Sequence, residues 1–365
     1  MKILLICMDE YIGRRVLRCL NWKRDAITVL SPDAIDPIRY SRLIKHHDTF
    51  DFSITSADIT HRLEAFAEYA DHNAFDIVIP SDVTSAKFLS EARGFMNSAC
   101  AFPISDSVTL DVLDDKWSFA QLLQRMSIPH PKTVLLTNTS QIEELPISPP
   151  LAVKPLDERG SHGFAVFQTT SELSQYIASN APYAQFPLIV QEFIPGHLIC
   201  CNILAYQGEV LVSTTHKNYS DQESEFLENN DILDVINLIV KETAYTGVAN
   251  FDIILNDQNK DFRVLECNPR FWNSLYASKW WGVDFAKLGI DLAFERISKQ
   301  DFADVGQRGS RFCTSGFLVR RAIRKNTSWR IVRANLPNIW YTVSDPLPLM
   351  VDRLCSVLST FGWLQ

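Results

Sequence analysis

The chain has 365 residues and a mass of 41.6 kDa, with 46% hydrophobic and 21% charged residues. That is enough for two or three cores at roughly 100 to 200 residues per domain, and it excludes a disulfide-stapled miniprotein or a disordered tail. The 35 Lys and Arg against 43 Asp and Glu leave a net charge of −8, so long-range attraction to nucleic acid or anionic lipid is not expected.

The opening Met1-Lys-Ile-Leu-Leu-Ile-Cys-Met-Asp9-Glu10 carries one positive side chain and meets two carboxylates before a signal-peptide core is complete. No apolar stretch approaches the ~18 to 20 residues of a membrane-spanning helix. The eight cysteines form no Cys-x-x-Cys pair and no zinc-finger spacing with His. Free thiols in a reducing, cytoplasmic setting and no transmembrane segment are therefore expected.

In chain order, Met1–Cys7 reads as a strand, Tyr11–Leu20 as a helix and Ala26–Leu30 as a second strand. Helical spacing over Ala57–His72, an apolar run Phe75–Pro80 and a further helix over Val83–Phe95 extend the alternation, which suggests a parallel α/β layer. Only Gly13 follows the first strand, so no NAD-binding glycine turn is expected. Asp106–Met126 reads as one helix, and Lys132–Leu136 as a strand. Short apolar runs then recur at Leu151–Lys154, Gly163–Gln168, Leu188–Phe193, Leu198–Tyr206 and Val210–Thr215, followed by a helix over Asn230–Tyr245. Ala249–Leu255 and Asp261–Glu266 read as a hairpin joined by the polar turn Asn256–Lys260.

Three segments carry chemistry. Val153-Lys154-Pro155 closes a strand before the polar loop Asp157-Glu-Arg159-Gly160-Ser161-His162-Gly163, which can cover a polyphosphate while Lys154 holds an anionic oxygen. Leu188-Ile-Val-Gln191-Glu192-Phe193-Ile194-Pro-Gly196 can offer backbone donors and acceptors to an adenine edge; a buried strand with a tight turn is the other reading. In the hairpin, Glu266 and Asn268 lie two apart and project from one face, with Asp252 on the preceding strand. Three oxygen ligands on one face suit Mg²⁺, and Arg270 could bind a transferring phosphoryl group.

The order of Asp115-Lys116, Lys154 with its loop, Gln191-Glu192-Phe-Ile-Pro-Gly196, Asp252 and Glu266-Cys-Asn-Pro-Arg270 resembles the ATP-grasp superfamily over most of the chain. It is most similar to the carboxylate-amine ligase and carbamoyl-phosphate-synthase-like members. The resemblance implies an α/β and α+β chain: an N-terminal Rossmann-like pre-ATP-grasp domain over 1–103, then a two-lobed ATP-grasp fold. Its first lobe, with the phosphate-covering loop, would span 104–185 and its second, with the adenine hinge and metal hairpin, 186–310. A basic segment and terminal helix would occupy 311–365.

By position, the resemblance implies that Lys116 and Lys154 contact ATP phosphates and that Arg159, Gly160, Ser161, His162 and Gly163 fold over them. Gln191, Glu192, Phe193 and Ile194 would line the adenine. Asp252, Glu266 and Asn268 would hold Mg²⁺, with Mn²⁺ as an alternative, and His216 or Lys217 would add a cationic contact. Lys154, Glu266 and Arg270 would be catalytic. Two features depart from many relatives: Gly196-His197-Leu198 lacks an acidic ribose ligand, and the loop is poor in glycine.

The activity implied is activation of a carboxylate as an acyl phosphate and its capture by an amine, with small-molecule substrates and no nucleic acid. A thiol acceptor, phosphoryl transfer or a nucleotide-binding regulatory protein without turnover are the alternatives. The absence of Gly-x-Ser-x-Gly, His-Glu-x-x-His and Walker A runs fits this. From Gly306 to Ser344 the chain carries Arg308, Arg311, Arg320, Arg321, Arg324, Lys325, Arg330 and Arg333 with no acidic residue. This reads as a basic outer face paired with the acidic remainder, or as a site for an acidic substrate. The tail Pro348–Leu364 reads as a helix docked on its own domain, with a homodimer contact as the alternative. Trp272, Trp280 and Trp281 read as core packing or as walls of an acceptor pocket.

Overall fold

A computed structural model describes the chain except residues 21–22, 34–35, 54–57, 159, 161, 180, 221–222, 257–260, 298–309, 315–328 and 361–365. The continuous apolar runs near the N-terminus become β1 (Lys2–Ile6), β2 (Ala26–Ser31), β3 (His46–Thr49), β4 (Ile77–Pro80) and β5 (Cys100–Ala101). They form a parallel sheet in the order β3-β2-β1-β4-β5. Helices α1 (Glu10–Cys19), α2 (Ile59–His72) and α3 (Val83–Ala92) connect them. Ile3 and Leu5 enter one apolar cluster, Leu4 and Ile6 another. Both faces of β1 are therefore dry, as expected of strands joined by crossover helices.

The stretch expected as one helix over 106–126 is two: α4 (Ser107–Asp114) and α5 (Lys116–Arg125). Asp115 ends the first in extended backbone, and its carboxylate accepts from Ser118 N at 2.7 Å, capping the second. A short polar side chain that bonds the next turn's amide competes with continuing the helix.

A four-stranded sheet follows in the order β6-β9-β7-β8, from β6 (Thr133–Leu136), β7 (Leu151–Pro155), β8 (Ala165–Phe167) and β9 (Leu188–Glu192). Helix α6 (Thr170–Ala178) covers it through Leu173 and Ile177. The six-stranded sheet has the order β14-β13-β10-β11-β12-β15. Its strands are β10 (Gly196–Tyr206), β11 (Glu209–Ser220), β12 (Glu223–Leu227), β13 (Gly247–Asn256), β14 (Phe262–Asn268) and β15 (Arg311–Cys313). Helix α7 (Asn230–Glu242) lies between β12 and β13 in sequence, and α8 (Leu275–Trp281) and α9 (Phe285–Ala293) follow β14.

In this sheet Ile199, Cys201, Ile203, Phe251 and Ile253 face the same cluster as α7 residues Ile232, Ile236 and Ile239. Of the alternate residues, Asn202, Asn250 and Asp252 are polar, whereas Leu204 and Val248 join the second apolar cluster. Helices α10 (Trp329–Ser344) and α11 (Leu347–Thr360) complete the described chain. Arg14 of α1 binds Asp352 at 3.0 Å, and Asp345 accepts from Ser41 Oγ at 2.6 Å and Arg42 N at 3.1 Å, so the terminal helix docks on the N-terminal unit. No helix among the described residues is long and apolar enough to cross a membrane.

Candidate active site

Cross-strand register assembles the site. Antiparallel pairing sets Cys200 against Asp252 and Asp252 against Glu266, with Asn202, Asn250 and Asn268 in the next row. Directly opposed residues share a face, so both rows project to the same side of the sheet. One residue breaks the alternation: the register shifts by one between Asp252 and Ile253. Leu265 is the extra residue, and it lines the same cavity as Glu266 while Val264 and Cys267 stay in the core. This is a β-bulge beside the carboxylates.

The cavity, about 840 Å³, is also lined by Lys116, Lys154, Leu156, Asp157, Glu158, Gly160, His162, Asp252 and Asn268. Lys154 reaches it from the end of β7 and bonds Glu266 Oε2 at 3.0 Å. Lys116, at the start of α5, donates to the carbonyls of Leu156 and Glu158 at 2.6 Å each. Gly160 and Gly163 turn the following loop at φ +63° and +72°, angles that favour residues without a Cβ.

The electrostatics of the pair are asymmetric. The Lys154 ammonium holds the Glu266 carboxyl below its usual range, helped by Lys116 and opposed by burial. Burial and the charge of Glu266 push Asp252 up to about 7, and the Cys200 thiol donates to Asp252 Oδ1 at 3.3 Å. Two carboxylates this close favour one shared proton. The donor set of Asp252, Glu266 and Asn268 is all oxygen, which suits a hard divalent cation, and a cation there would relieve the repulsion that raises Asp252. These residues fit Mg²⁺. Among the described residues no group of three or more His, Cys, Asp or Glu converges, because the third oxygen is an amide.

The sequence-derived residues do not all meet in one place: Arg270, for one, does not line the large cavity. Lys116, Lys154, Gly160, His162, Asp252, Glu266 and Asn268 meet at the cavity. Gly163 packs near Pro155 and Tyr183, and Arg159 and Ser161 lie outside the described residues. Gln191 is buried and donates to Thr133 Oγ1 at 3.0 Å. Glu192, Phe193 and Ile194 line a separate cavity of about 240 Å³ with Asn256, Asp261 and Arg263. Lys217 lies over the Tyr219 ring, 5.1 Å from its centroid. His216 is fully buried, and burial lowers it to about 4, so it is a neutral ring rather than a cation.

Arg270 turns back on its own strand end, donating to Asn268 Oδ1 at 2.9 Å and to the Phe271 carbonyl at 2.7 Å. Trp272 packs edge-on against Phe285 and Trp281 stacks on Phe226, which is core packing. Of the basic segment, Arg311 pairs with Glu225 at 3.0 Å; Arg308, Arg320, Arg321, Arg324 and Lys325 lie outside the described residues.

Sequence reasoning missed Asn250, which donates to Asn202 and accepts from Asn268. Its position two residues before Asp252 was the available signal, since both must share a face. It also missed Leu156, Phe164, Leu198 and Leu265, the apolar lining of the cavity, which no local motif marks.

Residues 113–274 match a family model described as an ATP-grasp domain. The chain is 24% identical over 302 residues to D-aspartate ligase of Enterococcus faecium (strain Aus0004), covering 74% of this chain and 71% of that one. It is 22% identical over 201 residues to the arginine-specific carbamoyl phosphate synthase large chain of Bacillus subtilis (strain 168), where it covers 50% of this chain and spans only 19% of its relative. Among solved structures, the L-amino acid ligase from Bacillus licheniformis superposes with a TM-score of 0.63 at 16% identity, covering 82% of this chain and 76% of that one. The biotin carboxylase domain of the Hydrogenobacter thermophilus 2-oxoglutarate carboxylase gives 0.62 at 15%, covering 82% and 72%. The fold is shared across these structures, and residues 113–274, which hold both lysines and the hairpin, match the ATP-grasp domain model.

Proposed function

We propose that the chain is an ATP-dependent ligase that activates a carboxylate as an acyl phosphate and joins it to an amine, releasing ADP and phosphate. The observation that carries this reading is the convergence of Lys116, Lys154, Asp252, Glu266 and Asn268, from three separate parts of the chain, on one cavity. The likeness to D-aspartate ligase and to L-amino acid ligase supports the carboxylate–amine chemistry. The N-terminal unit is read as a Rossmann-like pre-ATP-grasp domain over 1–103, supported by its parallel order β3-β2-β1-β4-β5. The lobes are read as 104–185 and 186–310.

A carboxylate is a poor acyl donor because oxide is a poor leaving group, and phosphorylation supplies a better one. Lys154 bonds Glu266 and Lys116 bonds loop carbonyls, and both lysines would exchange these partners for phosphate oxygens when ATP binds. Asp157, Gly160 and His162, which line the cavity, would cover the phosphates and exclude water, which protects an acyl phosphate from hydrolysis. Asp252, Glu266 and Asn268 would hold Mg²⁺, which when bound neutralises phosphate charge. Arg270 neutralises the acyl phosphate, and the chain contributes positioning and charge rather than a nucleophile. The substrates are read as small molecules, a carboxylate and an amine.

The test is ADP and phosphate release from MgATP across pooled carboxylates and amines, with mass spectrometry of the products. Substrate-dependent ADP together with a new amide mass is expected. MgATP binding without any amide product from any pool would overturn the ligase reading.

A further inference from the structure

On the polar face of the six-stranded sheet, five side chains are joined end to end with every donor pointing the same way. Arg270 donates to Asn268 Oδ1 at 2.9 Å, Asn268 Nδ2 to Asn250 Oδ1 at 3.2 Å, and Asn250 Nδ2 to Asn202 Oδ1 at 3.0 Å. Asn202 Nδ2 in turn donates to Thr214 Oγ1 at 3.1 Å and lies 3.3 Å from His216 Nδ1, and His216 Nε2 lies 3.2 Å from Ser274 Oγ. Strand register dictates the row, since Asn202 is paired with both Asn250 and Thr214, and Asn250 with Asn268. Asn202, Asn250 and His216 are buried and none of the three lines the large cavity.

An amide has two unlike ends: its oxygen only accepts and its nitrogen only donates. A row of amides is therefore a directional device in which one end fixes every member. The Thr214 hydroxyl can donate or accept and so fixes no direction, whereas His216 ends the row as an acceptor, because burial keeps its ring neutral and the Nε2 proton can be directed to Ser274. With its nitrogen committed to Asn250, Asn268 has its oxygen turned to Arg270, the polarity that a cation ligand needs.

We propose that Asn250, Asn202 and His216 are positioning residues that set the amide polarity of Asn268 and hold the Arg270 guanidinium, acting across three strands from outside the cavity. This rests on the ligase reading, in which Asn268 and Arg270 face MgATP and the acyl phosphate. Partners that orient a metal ligand commonly change metal affinity about 10- to 100-fold when removed.

The test uses the full chain with Mn²⁺ as the probe, its affinity measured by EPR in the presence of a non-hydrolysable ATP analogue. In parallel, the asparagine side-chain NH₂ resonances are recorded in the metal-free protein. His216→Leu removes the terminal acceptor, whereas His216→Gln keeps an oxygen that can accept. His216→Leu is expected to weaken Mn²⁺ binding by about 10-fold and to move the Asn250 and Asn268 NH₂ resonances, with metal-free binding of the analogue unchanged. His216→Gln is expected to restore both.

A folded His216→Leu protein with wild-type Mn²⁺ affinity and unmoved resonances, or a His216→Gln protein as impaired as His216→Leu, overturns the proposal. If His216→Leu does not fold, Asn202→Ala puts the same question with the same outcomes. If the wild type itself fails to bind Mn²⁺ with the analogue, the ligase reading falls. The metal-free resonances then decide the positioning role alone: movement upholds it and no movement ends it.

Discussion

In β1, Ile3 and Leu5 pack into one apolar cluster and Leu4 and Ile6 into another; in β13, Phe251 and Ile253 are core residues while Asn250 and Asp252 face a polar row. From Ile3 to Ile6 the parallel strand buries every side chain, so it specifies packing and carries no chemistry there. The antiparallel strand puts Phe251 and Ile253 in the core and leaves Asn250 and Asp252 to the polar side, and register with β10 and β14 multiplies that pair into two polar rows. The difference teaches where to look in a mixed chain: continuous apolar runs set the scaffold, and alternating strands carry the site.

The strongest way to break this division is to strike the polar row. Glu266→Ala removes the carboxylate that pairs with Lys154, and it should lower Mg²⁺-dependent ADP release by about 1,000-fold with an unchanged circular dichroism spectrum. Wild-type release rates from that variant would dissociate the polar row from chemistry. The converse strike is Leu4→Ala, at a fully buried scaffold position. It should cost about 3 to 4 kcal/mol of unfolding free energy in urea titrations while leaving nucleotide affinity intact.

A third measurement sharpens the comparison through pH. Burial lowers His216 from 6.5 to about 4, so between those values the unfolded chain binds this proton and the folded chain does not. The contribution of His216 is complete above pH 6.5 and declines as pH falls toward 4, a loss of roughly 3 kcal/mol that rises back with pH. Urea unfolding at intervals across that window should show this slope, and His216→Gln should flatten it. The smallest effect is local: Asp115→Ala removes the cap of α5, and should cost about 1 kcal/mol of stability while weakening ATP affinity through Lys116, the first residue of that helix.

Much of the scaffold was legible because its signals are local. The apolar runs around Ile3, Ile27 and Ile77, and the period-two spacing of Glu266 and Asn268, act within a few residues. Lys154 was legible as a lysine closing a strand beside a glycine-bearing loop. The break at Asp115 was not, since the surrounding residues keep helical spacing and only the bond from Ser118 N reveals a second start. The amide row was hidden for another reason: Asn202 and Asn250 are 48 positions apart, and asparagine is read as a turn or surface residue unless its cross-strand partner is known. Nor did the segment Glu192–Ile194 show from its composition that it would line a small cavity with Asn256, Asp261 and Arg263.

The extra residue at Leu265 has a consequence for how this hairpin tolerates change. It divides the β13–β14 pairing into an inner part, from Asn250–Asn268 to Asp252–Glu266, and an outer part, from Ile253–Val264 to Leu255–Phe262, with one unopposed residue between them. Length variation toward the tip can thus be absorbed before it reaches the carboxylates, much as a slip joint isolates a fixed pipe from one that expands. Counting outward from Glu266 preserves correspondence between chains of different hairpin length, whereas counting inward from the tip loses it. Insertions or grafts made beyond Ile253 therefore enter on the forgiving side of the joint.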